Sequence, residues 1–530
     1  MINSSSSVEA VGHNMFEALA RTFPVACATD EFFYFPQVRL PEPQWSTWDC
    51  FSSETVTEFV WRLSAWEDEL DLLTSYQSDL EVQIDIALLQ KLARTLREQL
   101  SEVRTWEFQS TFYLTLVCIG LAEAMESEDP AAKHERARSL PTFLDQASHN
   151  LNCVPVLFRD IGLEMVSDTR NYLVLLEKTL PELRTALTAL GRFEEALQNV
   201  STREDFLLPR DLLERILRFH IRCDVDIQEI DHTLDQEIEE VQQILDQEAR
   251  NFVSERFEIQ GSQQLWSEAL KSIPMPAVGK EGLIGLYQGE VNRLVKHCLD
   301  QGLVSPSLVF SCPVSVASMP PFLSAIRVGA SYSIPPKHPP SGGKFYVLTK
   351  YVTDESQQGH LRQYRMTCAH ETYPGHHLLD ASRWSLARPL RRAVEQPIFY
   401  EGWACFAEGL MRLTGYFSEP GDRLLLARRR LLHAIRGKVD IGLQTGTMSI
   451  PTAAEYLKEA GISRERAISS VRKYRLNPGY QLCYTLGLRR FLDLFDRYGR
   501  DNLPNFVQTV LGQGEIHFTD LEKVLQKTDN

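Results

Sequence analysis

Residues 366–380 read MTCAHETYPGHHLLD. A histidine followed at once by a glutamate pairs a metal ligand with a general base, as in the H-E-x-x-H signature of zinc hydrolases. Position 374, where the second histidine of that signature belongs, is Pro374, and histidines come only at His376 and His377. On an ideal helix, turning about 100° per residue, His377 stands about 20° from His370, while His376 lies well off that face. Pro374 removes a backbone donor and crowds the preceding turn, and Gly375 tolerates unusual dihedrals. Together they predict a kink or π-bulge that re-aims the residues beyond it. After such a bulge His376 can take the place of the missing histidine, so spacing alone leaves both open.

A hydrolytic zinc site needs a third protein ligand and a fourth position for water. YEGWACFAEGL (400–410) offers Glu401 and, seven residues on, Glu408 on the same helical face. Two carboxylates in so apolar a stretch are hard to explain as solvated surface. Pairing with Arg391 or Arg392 is the plainer alternative. His433, His297, His220 and His517 have no partner at metal spacing and read as core or surface histidines, and Cys368, Cys405 and Cys483 as buried packing residues.

HETYPGHH (370–377) with EGWACFAE (401–408) resembles the H-E-x-x-P-G-H-H and E-G-W-A-x-x-A-E pair of the domain-of-unknown-function 885 family, bacterial and fungal proteins of mainly α-helical fold regarded as zinc metallopeptidases. KFYVLT (344–349) is similar to that family's F-Y-V-N-T strand, VDIGL (439–443) to its V-D-x-G segment, and RKYRLNPGYQLCYTLG (472–487) to its R-Y-x-x-x-P-G-Q-A-x-x-Y-x-x-G segment. The resemblance implies that His370, His376 and Glu401 bind one Zn2+ per chain and that Glu371 is the base. Tyr484 is kept as a donor to an oxyanion, and Glu408, His377 and Tyr480 orient ligands or face substrate. The family pattern has Gln, His, Gln and Lys where this chain has Leu379, Gln444, Tyr480 and Thr485. These departures alter the polar surroundings of the metal set and leave the set itself intact.

The elements that must position these residues are mostly helical. Segments 173–200 and 212–252 repeat apolar residues every three to four positions, the second long enough for a helical hairpin or an extended rod with a solvated acidic face. From 303 to 350 Pro, Gly and Ser rise among short β-branched runs, which predicts loops and a few strands. KFYVLT is the best strand candidate, either an exposed edge that binds an extended substrate or a brace for the helix carrying His370. The expected fold is mainly α, an elongated metallopeptidase-like helical body with a small β-sheet beside the active-site cleft. It divides into a helical region at 1–300 and a metal-binding catalytic region at 301–530, with the sheet at 303–350, zinc helices at 360–415 and C-terminal helices, all packed as one cleft-forming unit.

Composition bounds the setting. The chain has 530 residues and a formal net charge of −16, from 55 basic and 71 acidic residues, and no basic run with interleaved aromatics of the kind that tracks nucleic acid. No basic leader and no apolar stretch of about 18 residues appears. Ten cysteines are scattered without a C-x-x-C pair. These features predict a soluble cytoplasmic protein with no nucleic-acid or membrane partner. Its substrate would be a small molecule or short peptide, and the net acidity favours a neutral or basic one. The expected reaction is zinc-dependent hydrolysis of an amide or peptide bond. The alternatives are a zinc enzyme of a specialised pathway acting on an amino-acid-derived metabolite, and a helical scaffold with a structural metal.

Overall fold

Apolar spacing of three to four residues commits most of the chain to helix. The computed structural model describes residues 4–254, 265–320, 323, 329–349 and 355–528. The fold is elongated and mainly α, with 70% helix against 3% strand. Segment 173–200 is not one helix: Val156–Glu177 ends and Leu183–Asn199 begins around Pro181, which removes a backbone donor. Segment 212–252 is bent rather than a rod. A π turn over Ile216–Ile221 closes on Arg222 in the left-handed region, φ 66°. Helix α1 (Ile227–Ser254) then starts with the Asp226 carboxylate accepting from the Glu229 N–H at 2.8 Å.

Of the 303–350 region, residues 321–322, 324–328 and 350 lie outside those described. The rest forms a three-stranded sheet of β1 (Val314–Ser318), β2 (Ser331–Ser333) and β3 (Gly343–Val347) in the order β1-β3-β2. β1 runs parallel to β3, pairing Val316 with Phe345, and β2 runs antiparallel to it, pairing Tyr332 with Phe345. KFYVLT therefore supplies the central strand. Its backbone is paired on both sides, which removes it as an edge for an extended substrate. Phe345 and Val347 bury in the main core, so β3 serves as a brace.

The site helices are α2 (Tyr364–Glu371), α3 (His376–Ser385), α4 (Pro397–Leu413), α5 (Pro420–Gln444) and α6 (Leu482–Tyr498). Pro397 and Pro420 sit in the first turns of α4 and α5, where a missing N–H costs nothing. Helices α4 and α6 cross at Gly402 and Gly487. A Cβ on Gly402 would come within 2.5 Å of the Gly487 backbone, so only this pair of glycines lets the helices approach closely enough to bring Tyr480 and Tyr484 against Glu401.

One apolar core runs from Val8 to Leu525 through both regions, and a second lies between α1 and α5. The acidic face of α1 is not simply solvated. Glu237 is fully buried and pairs with Arg430 of α5 and Arg489 of α6, and Lys438 of α5 meets Asp231 and Asp235. Among the described residues no single helix is long and apolar enough to cross a membrane.

Candidate metal centre

The break at Pro374 is complete rather than a kink or bulge. Helix α2 ends at Glu371, residues 372–375 turn through a cis Tyr373–Pro374 peptide, and α3 begins at His376. The turn folds tightly against the end of α2: the Gly375 N–H donates to the Ala369 carbonyl at 3.0 Å, and Trp403 Nε1 donates to the Pro374 carbonyl at 2.9 Å. A Cβ on Gly375 would lie 1.8 Å from the His370 carbonyl oxygen, so no larger residue fits. The reversal carries His376 back over His370, with ring centroids 4.7 Å apart.

Helix α4 brings Glu401 to the same point. Its Oε2 lies 3.6 Å from Nε2 of His370 and 3.6 Å from Nε2 of His376, and all three side chains are buried. Each offers one ligand atom, and the three lie within 4.8 Å of one another. Two donors held about 2.1 Å from one ion at the tetrahedral angle stand about 3.4 Å apart, so these spacings suit a single small cation. Among the described residues Glu401 Oε2 and His376 Nδ1 are buried without a hydrogen-bond partner, whereas Glu401 Oε1 accepts from the Tyr480 hydroxyl at 2.7 Å. A buried carboxylate oxygen left without a donor is costly unless a cation answers it. The donor set therefore fits a divalent metal.

Around the three donors lies a supporting shell. His370 Nδ1 donates to Glu408 Oε1 at 2.9 Å, which leaves Nε2 facing Glu401. The arginine that holds Glu408 is Arg429 of α5, at 2.6 and 2.7 Å. Arg391 instead pairs with Asp85 and Glu81, and Arg392 Nε donates to the Leu386 carbonyl. Burial opposes the charge on Glu408, but Arg429 and His370 hold its pKa at about 2. Burial opposes charge on His370 as well, yet Cys405, Glu401 and Glu408 outweigh it and raise its pKa. His370 and His376 likewise overcome burial to hold Glu401 well below the usual carboxylate range.

His377 points away from this cluster. Its Nε2 donates to the Cys312 carbonyl at 2.9 Å and its Nδ1 accepts from the Tyr332 hydroxyl at 3.0 Å, tying α3 to the sheet. Burial depresses its pKa to about 4, so the ring is neutral near pH 7. It neither orients a ligand nor faces the open side of the cluster. These contacts set a paired expectation. Glu408→Gln, which weakens the acceptor holding the His370 ring, should lower zinc affinity about ten- to a hundredfold. His377→Ala should change zinc affinity less than about tenfold but lower Tm, because it removes the two buried hydrogen bonds that tie α3 to Cys312 and Tyr332, each worth about 0.5–1.5 kcal/mol. Zinc competition titrations and thermal melts on both variants check the ranking.

A cleft of about 630 Å³ reaches the cluster at His370, and Glu371, His433 and Tyr484 are also in its lining. Glu371 is half-buried there and makes no hydrogen bond or ion pair among the described residues. The Tyr484 ring lies 6.4 Å from that of His370, and burial together with Glu401 pushes its phenol pKa up, keeping it a proton donor. Leu379, Gln444 and Thr485 are buried and do not line the cleft; of the four departures, Tyr480 is the one that hydrogen-bonds a candidate ligand among the described residues, Glu401.

His433 has a different place from the other lone histidines. His220 pairs with Glu98, His297 with Thr414 and His517 with Asp224, whereas His433 faces the cleft, with its ring 4.6 Å from that of Tyr484. Burial and the charges of Arg436 and Arg429 keep it neutral. A signal was present in LARRRLLHAIRGK: Arg429, His433 and Arg436 stand at i, i+4 and i+7, one helical face. Cys368, Cys405 and Cys483 are buried, burial raises each thiol pKa, and among the described residues the donor group is His370, His376 and Glu401 with no cysteine in it.

The chain belongs to the DUF885 family, described as bacterial proteins of unknown function, whose profile matches residues 42–525. Two solved structures share its fold. A "putative lipoprotein of unknown function" from Shewanella oneidensis superposes with a TM-score of 0.77 at 15% identity, covering 98% of this chain and 99% of its own. A "putative lipoprotein" from Colwellia psychrerythraea does so with a TM-score of 0.80 at 15% identity, covering 99% of each. At that identity the likeness speaks for the fold alone. Comparison with curated proteins yields no match.

Proposed function

We propose that this protein is a zinc-dependent hydrolase of an amide or peptide bond in a short peptide or amino-acid conjugate. The observation that carries the reading is Glu401 Oε2, a buried carboxylate oxygen without a hydrogen-bond partner among the described residues, 3.6 Å from two imidazole nitrogens, one of them on His370, which lines an open cleft. His370, His376 and Glu401 would hold the metal, which when bound lowers the pKa of water towards about 7 and polarises a carbonyl. Glu371, next in sequence to a ligand and free in the cleft, takes a proton from the attacking water and returns it to the leaving nitrogen as the C–N bond breaks. Tyr484 donates to the oxygen on which negative charge develops. Glu408 and Arg429 keep the His370 ring in one orientation, and Tyr480 does the same for Glu401. All ten cysteines are free, which supports a reducing, cytoplasmic setting.

The test is a digest of short peptides and N-acyl amino acids by zinc-loaded protein, read by mass spectrometry. Cleavage with gain of one water, abolished by a chelator and restored by zinc, is the expected result. A fully zinc-loaded protein that cleaves no member of either set would sink the hydrolase reading.

A further inference from the structure

The charge of the cleft is opposite to that of the chain. Lys271, Arg362, Arg428, Arg429, Arg436 and Arg466 line it against one carboxylate, Glu371. Helix α5 shows where this charge is unanswered. Arg423 pairs with Glu248, Arg429 with Glu408, Arg430 with Glu237 and Glu240, and Lys438 with Asp231 and Asp235. The other two basic residues of α5, Arg428 and Arg436, form no ion pair among the described residues, although Glu401 acts on Arg436 through space, and both line the cleft. Arg428 reaches Gln363 Oε1 at 3.4 Å, and Arg436 donates to Gln481 Oε1 at 2.8 Å. Eight positions apart on the helix, they share its cleft-facing side. The Arg436 guanidinium also lies 4.5 Å from the Tyr484 ring centre, one side chain from His370.

From this arrangement we infer that the substrate carries a carboxylate beyond the scissile bond, and that Arg428 and Arg436 bind it. Guanidinium forks match carboxylates in geometry and are the residues suited to hold them away from bulk water. Burial and the neighbouring charges of Arg429 and Arg466 depress the Arg428 pKa to about 10, an unfavourable charge that a bound anion would relieve. The net charge of −16 therefore misleads about the substrate: the acids of α1 neutralise the outer side of α5, and the inner side remains positive. This inference rests on the hydrolase reading for the nature of the substrate, but not for the anion site itself.

The test is calorimetric binding to zinc-loaded protein, which needs no turnover. The probes are short peptides with a free C-terminal carboxylate, the same peptides amidated, and amidated peptides bearing an Asp or Glu side chain. Carboxylate-bearing probes should bind about ten- to a hundredfold tighter than the uncharged amides, and the first and third probes tell a terminal from a side-chain carboxylate. Arg428→Gln with Arg436→Gln should remove that preference while zinc content stays at the wild-type level, and the corresponding lysine pair should keep part of it. If the double variant does not fold, Arg428→Gln alone, whose side chain makes one hydrogen bond among the described residues, to Gln363, should cut the preference. Equal binding of acids and amides, a preference that survives these substitutions, or no binding of any carboxylate probe overturns the inference. Anion-selective binding without hydrolysis in the digest overturns the hydrolase reading and leaves the anion site standing.

Discussion

Glu401→Ala protein is expected to emerge from purification without tightly bound zinc. Wild-type chain should carry about one zinc, held by three protein donors in a buried pocket. Structural zinc sites with four ligands bind with roughly 10–16 kcal/mol, so one ligand is worth about 3 kcal/mol and its loss about a hundredfold or more in affinity. Glu401 also supplies the negative charge of the cluster, and its removal leaves two imidazoles facing each other with nothing between them to favour a cation. His370→Ala and His376→Ala should behave in the same way, while His377→Ala keeps its metal because that ring faces Cys312 and Tyr332. Elemental analysis after gel filtration decides the matter. Full occupancy in both histidine variants and in Glu401→Ala would mean that the cluster is not the metal site.

Glu371→Gln should cost activity without costing metal or fold. The amide keeps the size of the side chain but cannot accept a proton at the moment water attacks. The usual scale for removing a general base is about 10² to 10⁴ in rate. Glu371 is half-buried and makes no ion pair or hydrogen bond among the described residues, so its charge holds no side chain in place and acts on Arg429 only through space. The zinc content and Tm of the variant should match the wild type, and kcat should carry the loss. The measurement is kcat on whichever substrate the peptide and acyl-amino-acid digest yields. Unchanged kcat removes Glu371 from the mechanism, and a loss that comes with lost zinc reassigns it to the metal shell.

How much of the fold and the metal centre could be read from sequence depends on the range of the interaction. Helix is a local property, set by apolar spacing over ten to twenty residues, so the mainly helical fold was legible in segments such as 173–200 and 212–252, and so was the small sheet before the site. The interruption at Pro374–Gly375 was also local: a missing N–H and a missing Cβ act on adjacent residues. The types of the donors, His370, His376 or His377, and Glu401, were visible because ligand chemistry is a property of the side chain. Even the choice of His376 over His377 came from the resemblance rather than from helix geometry, since that geometry holds only while the helix is unbroken.

Contacts between residues far apart in the chain were decided by the tertiary structure alone. That Arg429 rather than Arg391 answers Glu408, that His433 enters the cleft while His220 does not, and that Phe345 and its strand lie in the centre of the sheet all depend on which helix or strand packs beside which. The sign of the cleft is the clearest case. Net charge is a sum over the whole chain, and a sum carries no positions. Only after α1 has laid Glu237, Asp231 and Asp235 along the outer side of α5 does it emerge which arginines lack a partner, and Arg428 and Arg436 are the two left facing inward.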